Sequence, residues 1–115
     1  MNILLSKSAF NSIDNITDFT LKISNNYSNR VVSAMYSSIY ALEYSPYIGR
    51  IVPEFMDKQF RELLCCGYRI MYFISEKENL ITIRYILSSR QNRTQFLVVH
   101  KKEINDYIKS LNQFI

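Results

Sequence analysis

Glycine and proline are nearly missing from this chain of 115 residues, which holds two of each, no tryptophan, one histidine and two cysteines. Each scarcity excludes something. Gly49 and Gly67 cannot build a glycine-rich phosphate cradle. One histidine and two cysteines leave too few donors for an ordinary mononuclear zinc site. Trypsin-like, papain-like and two-histidine metalloprotease chemistries need residues that are absent or present once. Neither metal nor cofactor is expected. With 48% apolar residues and 21% charged, the chain is not disordered, collagenous or of low complexity. Cys65 and Cys66 are neighbours, and a ring closed between neighbours strains the intervening peptide. Both read as reduced thiols of a reducing compartment. The start, Met1 to Ala9, has one lysine and a short apolar run, too little for a signal peptide. No apolar run approaches the roughly 20 residues that span a bilayer. The expectation is a cytoplasmic protein without membrane contact.

What is present is a positive charge of uneven placement. The net charge is +4. Up to Gly49, Lys7, Lys22 and Arg30 balance Asp14, Asp18 and Glu43, so the whole excess lies in residues 50–115. From Asn79 to Lys102 there is no acid, but there are Arg84, Arg90, Arg93, Lys101 and Lys102. Such a stretch is either a solvated basic edge or a surface for an anionic partner, a nucleic acid or an acidic protein segment.

The length fits one domain. Asn2–Leu5 reads as a short strand, and Ser6 or Ser8 offers an N-cap. Phe10, Ile13, Ile16, Phe19 and Ile23 follow at helical spacing, and Asn25-Asn26 breaks the pattern. A second helix restarts at Ser28 with Val31 or Val32, Met35, Ile39 and Leu42 inward, and ends before Pro46 and Gly49. So short a link predicts an antiparallel helix hairpin. After Pro53 the period becomes two. Phe60–Cys65, Tyr68–Ile74 and Leu80–Leu87 are strand-like, joined by Cys66-Gly67 and by Ser75–Asn79. Ile81, Ile83 and Tyr85 share one face of the third run, opposite Thr82 and Arg84. Phe96–Val99 reads as a further strand. Lys101–Phe114 reads as an amphipathic helix whose stripe of Ile104, Ile108, Leu111 and Ile115 must dock on this domain or on a second copy. The fold class is α+β.

Several motifs have a direct physical reading. Gly49 can take a positive φ and turn the chain out of the hairpin. Arg50 and Glu54 can pair across that turn, and Glu62 can pair with Arg61 or Arg69. Arg69 falls on the strand face away from the helices, where its planar five-donor fork can meet a phosphate or a carboxylate.

The segment Pro46-Tyr47-Ile48-Gly49-Arg50-Ile51-Val52-Pro53-Glu54 resembles the P-x-x-G-R-x-V-P-E string of the RelE/ParE superfamily, the toxins of bacterial type II toxin–antitoxin modules. Arg61-Glu62-Leu63-Leu64 and Gly67-Tyr68-Arg69-Ile70-Met71-Tyr72 follow at the family's spacing. Ser88-Ser89-Arg90 stands where many members carry His-x-Arg. The likeness covers about residues 2–91, with 92–115 as an extension of a single domain over 1–115. It implies a short N-terminal strand and a two-helix hairpin packed on a twisted antiparallel sheet with a three-stranded meander, plus a C-terminal helix. Gly49, Arg50, Pro53, Glu54, Glu62 and Tyr68 become structural motif residues.

The resemblance also implies function. Such modules stabilise plasmids and inhibit growth, and a small antitoxin with an acidic C-terminal segment neutralises the toxin. The basic stretch and Tyr27, Tyr36, Tyr40, Tyr44 and Tyr47 are the surface expected to meet it. ParE-like members poison DNA gyrase and cleave nothing. RelE-like members are metal-independent, ribosome-dependent mRNA endonucleases. Cleaving RNA through its own 2′-hydroxyl needs a base, an acid and a cationic clamp. Arg69 and Arg90 match the clamp arginines and are the catalytic candidates if the chain is a nuclease. The family's lysine positions fall near Phe60 and Glu62, its C-terminal tyrosine near Phe96, and its histidine at Ser88, none of which replaces the lost proton-transfer group. His100 and Tyr85 are the substitutes available. The expected reading is therefore ParE-like, with Arg61, Arg69, Arg84 and Arg90 binding the target. A ribosome-dependent nuclease is the alternative, and a decayed member that only binds its antitoxin is a third.

Overall fold

The computed structural model describes residues 1–88 and 93–112. Strand β1 (Asn2–Leu5) leads directly into helix α1 (Lys7–Leu21). Ser6 makes that junction. Its hydroxyl accepts the Ala9 N–H at 3.1 Å, satisfying one of the helix's orphan donors, and donates to the Arg84 carbonyl at 2.8 Å. One side chain thus caps the helix and ties it to the sheet.

Helix α1 buries Ala9, Ile13, Ile16 and Thr20. The expected stripe shared only Ile13 and Ile16 with this set, because Phe10, Phe19 and Ile23 each stay more than half exposed. Two small residues take the inward positions instead. Thr20 can sit there because its hydroxyl donates to the Ile16 carbonyl at 2.7 Å and meets the Ser28 hydroxyl at 2.8 Å. Helix α2 (Asn25–Ala41) begins three residues before the expected Ser28, since Ser24 is its N-cap and accepts the Tyr27 N–H. Asn25-Asn26 is therefore the first turn of a helix, not a break. Val31, Met35, Ile39 and Leu42 are buried as their spacing predicts.

The strands β2 (Arg50–Ile51), β3 (Phe60–Cys65), β4 (Tyr68–Ser75) and β5 (Leu80–Ser88) join β1 in a five-stranded sheet of order β1-β5-β4-β3-β2. The meander β3-β4-β5 is antiparallel, while β1 pairs with β5 in parallel. Cys66 and Gly67, with φ of 52° and 80°, form the two-residue hairpin turn between β3 and β4.

A β-bulge overturns one expectation. Met71 pairs with Tyr85 but Tyr72 pairs with Ile83, so Arg84 is the extra residue of β5. Ile81 and Ile83 face the helices, and after the bulge Ile86 does so while Tyr85 and Leu87 face the other way. Tyr85 is thus not on the face of Ile81 and Ile83.

The sheet separates two cores. The inner one packs Ile70, Tyr72, Ile74, Ile81, Ile83 and Ile86 against α1 and α2. The outer one packs Phe60, Met71, Phe73, Tyr85 and Leu87 against helices α3 (Arg93–Val99) and α4 (Lys101–Asn112). The expected strand over Phe96–Val99 is instead part of α3. Its β-branched ending favours a strand locally, but a helical turn delivers Leu97 into the outer core, and burial overrides propensity. The amphipathic C-terminal helix docks on its own domain: Ile104 is fully buried, and Tyr107, Ile108 and Leu111 pack beside it. Ile115 lies outside the described residues.

Candidate target-binding groove

The Pro46–Glu54 segment has to leave α2 and reach the sheet edge, and Tyr72 holds it in place. The Tyr72 hydroxyl accepts the Gly49 N–H at 3.0 Å and donates to the Pro46 carbonyl at 2.8 Å. Burial raises its pKa, so the phenol stays a donor across the neutral range. Gly49 is required here by closeness rather than by a positive φ. A Cβ would stand 2.5 Å from the Tyr72 hydroxyl and 2.8 Å from the Glu62 carbonyl.

Arg61 fixes the same segment from the helix side of β3. Its guanidinium donates to the carbonyls of Tyr47, Gly49 and Lys58 and lies 4.8 Å from the centroid of the Tyr47 ring. The Tyr47 hydroxyl in turn donates to Glu76, and its pKa is pushed up to about 12 by partial desolvation and by that carboxylate.

With the segment fixed, β2 sets Arg50 opposite Glu62 in the ladder. Residues directly opposed in an antiparallel pair point to the same face. The register therefore places Arg50, Glu62, Leu64 and Arg69 together on the outer face. The Glu62 carboxylate, only 3% exposed, receives Arg50 at 2.5–2.6 Å and stands 3.6 Å from the Arg69 guanidinium. Arg50 thus pairs with Glu62, not with the expected Glu54. Neither is Arg61 the partner of Glu62. Ile48, Gly49, Arg50, Glu62, Leu63, Leu64 and Arg69 line an open groove of about 470 Å³. Its character is two guanidiniums over one buried carboxylate, beside a leucine that is 72% exposed.

Arg84, another expected binding residue, lies elsewhere. Arg84 sits under α4, where it pairs with Glu103 at 2.5 Å and lies near the rings of Tyr85 and Tyr107. The hydrogen bond from Arg84 lowers the Glu103 pKa and raises that of Arg84. Arg90 lies outside the described residues. Pro53 and Glu54 are exposed in the turn between β2 and β3, and Tyr68 is half-buried at the start of β4. The groove was half visible in the sequence through Arg69 and Glu62. Arg50's place in it was missed because it depends on a two-residue strand that has no sequence signal, and Tyr72's role because its bonds to Pro46 and Gly49 span more than 20 residues of chain.

The two substitutes for lost proton-transfer groups do meet, 5.7 Å apart by ring centroids. The Tyr85 hydroxyl donates to Glu103 at 3.0 Å, and burial raises its pKa. His100 Nδ1 lies 3.0 Å from the Phe96 carbonyl, so that nitrogen carries the ring proton, and the ring stacks on Phe96. Tyr85 opens on a separate cleft, shared with Ser8, Ser12 and Asn15 of α1, rather than on the arginine groove. Along α2, Tyr36 stacks on the exposed Tyr40, and beyond the helix Tyr44 and Tyr47 are exposed.

Among the described residues no helix is long and apolar enough to cross a membrane, and no group of three or more His, Cys, Asp or Glu side chains gathers. Comparison with curated proteins finds no match. A family model does match, over residues 3–93: the ParE toxin of type II toxin–antitoxin systems. That span takes in β1, the helix hairpin, the whole sheet and every residue of the arginine groove, so the chain belongs to the ParE toxin family of type II toxin–antitoxin systems.

Proposed function

We propose that this toxin arrests growth by binding DNA gyrase through the arginine groove, without cleaving RNA, and that a cognate antitoxin with an acidic C-terminal segment neutralises it. The observation that carries the reading is the groove's composition. Its ionisable groups are Arg50, Arg69 and Glu62. A guanidinium offers donors and no acceptor, and the carboxylate is engaged by both cations. Among the described residues that line the groove, a clamp is therefore available without a base or acid to work beside it. The exposed Leu64 adds an apolar contact of the kind a protein surface fills. Arg69 and Arg90 are the first target-binding residues in this reading, with Arg50 joining them.

The test is induced expression followed in parallel by DNA-damage response, messenger integrity and supercoiling by purified gyrase. Gyrase inhibition with intact messenger is the expected result. Messenger cut in a ribosome-dependent way, with gyrase unaffected, overturns the proposal in favour of the nuclease.

A further inference from the structure

The turn between β3 and β4 holds the chain's two cysteines side by side. Cys65 ends β3, pairs with Tyr68 and is buried in the inner core, while Cys66 follows at a φ of 52° and is exposed. Both are free, with Sγ atoms 3.8 Å apart. A disulfide suits them badly, because adjacent Cα atoms stand about 3.8 Å apart whereas bridged cysteines span roughly 4.4–6.8 Å. A single atom held between the sulfurs suits them well. The sulfurs then keep most of their 3.8 Å separation instead of closing to the roughly 2.05 Å of an S–S bond.

We propose that Cys65 and Cys66 form a vicinal dithiol site for a thiophilic centre that takes two sulfur donors, of which a monosubstituted trivalent arsenical is the type. No third donor cluster exists among the described residues, so a divalent metal gains only half of a tetrahedral shell. The arsenical needs no more than the pair. It keeps its organic substituent and exchanges its oxygen for two sulfurs. Two As–S bonds form, the As–O bonding is lost, and the oxygen leaves as water with the two thiol protons. Arsenic stays trivalent, and no oxidant or reductant takes part. Partial desolvation and the adjacent Cys65 sulfur push the Cys66 thiol pKa up, so Cys66 brings its own proton to the water that leaves.

The experiment titrates phenylarsine oxide into the full chain under a non-thiol reductant, with native mass spectrometry and thiol alkylation as readouts. One adduct per chain is expected, with both cysteines protected from alkylation and release by a small dithiol but not by a monothiol. Cys66→Ser alters an exposed position and leaves a single donor. It should weaken binding about 100-fold, the loss expected when an intramolecular second contact is removed. Cys65→Ala should do the same where it folds, and Cys66→Ser carries the test where it does not. Absence of an adduct at equimolar reagent, or equal binding by Cys66→Ser, overturns the proposal.

Discussion

Among the described residues, the outer face of the sheet carries two arginine–carboxylate clusters that differ in which partner is buried. In the groove the carboxylate is buried, Glu62 at 3%, and the cations lie toward solvent, Arg50 at 58% and Arg69 at 30%. Under α4, Arg84 and Glu103 are both partly exposed, at 32% and 46%. Burying a carboxylate is costly unless cations are paired with it, so Glu62 fixes two guanidiniums at the surface. A half-exposed pair is screened by water and contributes at most about 1 kcal/mol. The first cluster therefore presents charge, and the second fastens a helix that packing already holds.

The sharpest break in this comparison is to remove the packing. Ile104 is fully buried between α4 and the sheet. Ile104→Ala should cost about 3 kcal/mol, from lost transfer energy and the cavity left behind. In a domain of this size that lowers the melting temperature by roughly 10 °C. Arg84→Ala should cost far less. Equal losses in thermal melts would make the ion pair, not the packing, the anchor of α4.

Next comes the groove itself. Glu62→Ala leaves Arg50 and Arg69 converging on an uncompensated site and should cost about 2 kcal/mol, since both cations can partly rehydrate. Arg69→Ala should leave stability within about 1 kcal/mol, yet abolish growth inhibition. Arg69→Lys should restore only part of it, because the charge returns without the planar fork. Growth assays beside urea titrations separate the outcomes. If Arg69→Ala and Glu62→Ala lose stability and toxicity in step, Arg69 merely satisfies the carboxylate and does not bind a target.

A smaller effect is expected one layer back, at the support of the groove. Gly49→Ala places a methyl against the Tyr72 hydroxyl and the Glu62 backbone. The backbone must move, at about 1–2 kcal/mol in urea titration, a typical cost of overpacking. Tyr72→Phe on that background removes the hydroxyl clash and should recover part of the loss, though the bonds to Gly49 and Pro46 go with it.

These positions also show what a sequence can and cannot disclose. The element order through β5, β2 excepted, the α2 face and the β3–β4 turn were legible because each rests on local period or turn chemistry, as with Met35 at helical spacing and Gly67 in the turn. The α1 face was misread because Phe10 and Phe19 outweigh Ala9 and Thr20 in hydrophobicity, while a hydrogen bond to Ser28 lets Thr20 go inside. Tyr85 was put on the wrong face because a bulge at Arg84 leaves the composition of the strand unchanged. The site was legible as charge, Arg69 and Glu62, but not as geometry. Arg50 reaches Glu62 through β2 register, and Arg84 finds Glu103 through the docking of a helix that lies beyond the family match.

The smallest effect belongs to the Arg84–Glu103 pair, and pH reads it. The hydrogen bond from Arg84 lowers the folded-state pKa of Glu103 below its unfolded value. Between those two values the unfolded state binds more protons, so stability rises with pH across that window. The contribution is complete above the ordinary glutamate range near 4.3 and is lost as pH falls through the folded value. Glu103→Gln should flatten that acid limb by less than about 1 kcal/mol and leave the neutral plateau nearly unchanged. Added salt should flatten the wild-type limb in the same direction. The Tyr72 part of the alkaline limb provides the control, as distinct from the Tyr85 part, whose hydroxyl donates to Glu103. Burial raises the Tyr72 pKa, so its contribution is present below about 10 and is lost as pH rises through the folded value. Tyr72 makes its hydrogen bonds to Gly49 and Pro46, so Glu103→Gln should leave its alkaline signature in place. Urea midpoints measured from pH 3 to pH 11 distinguish the cases. An acid limb unchanged in Glu103→Gln would show that the pair under α4 adds nothing to the helix's attachment.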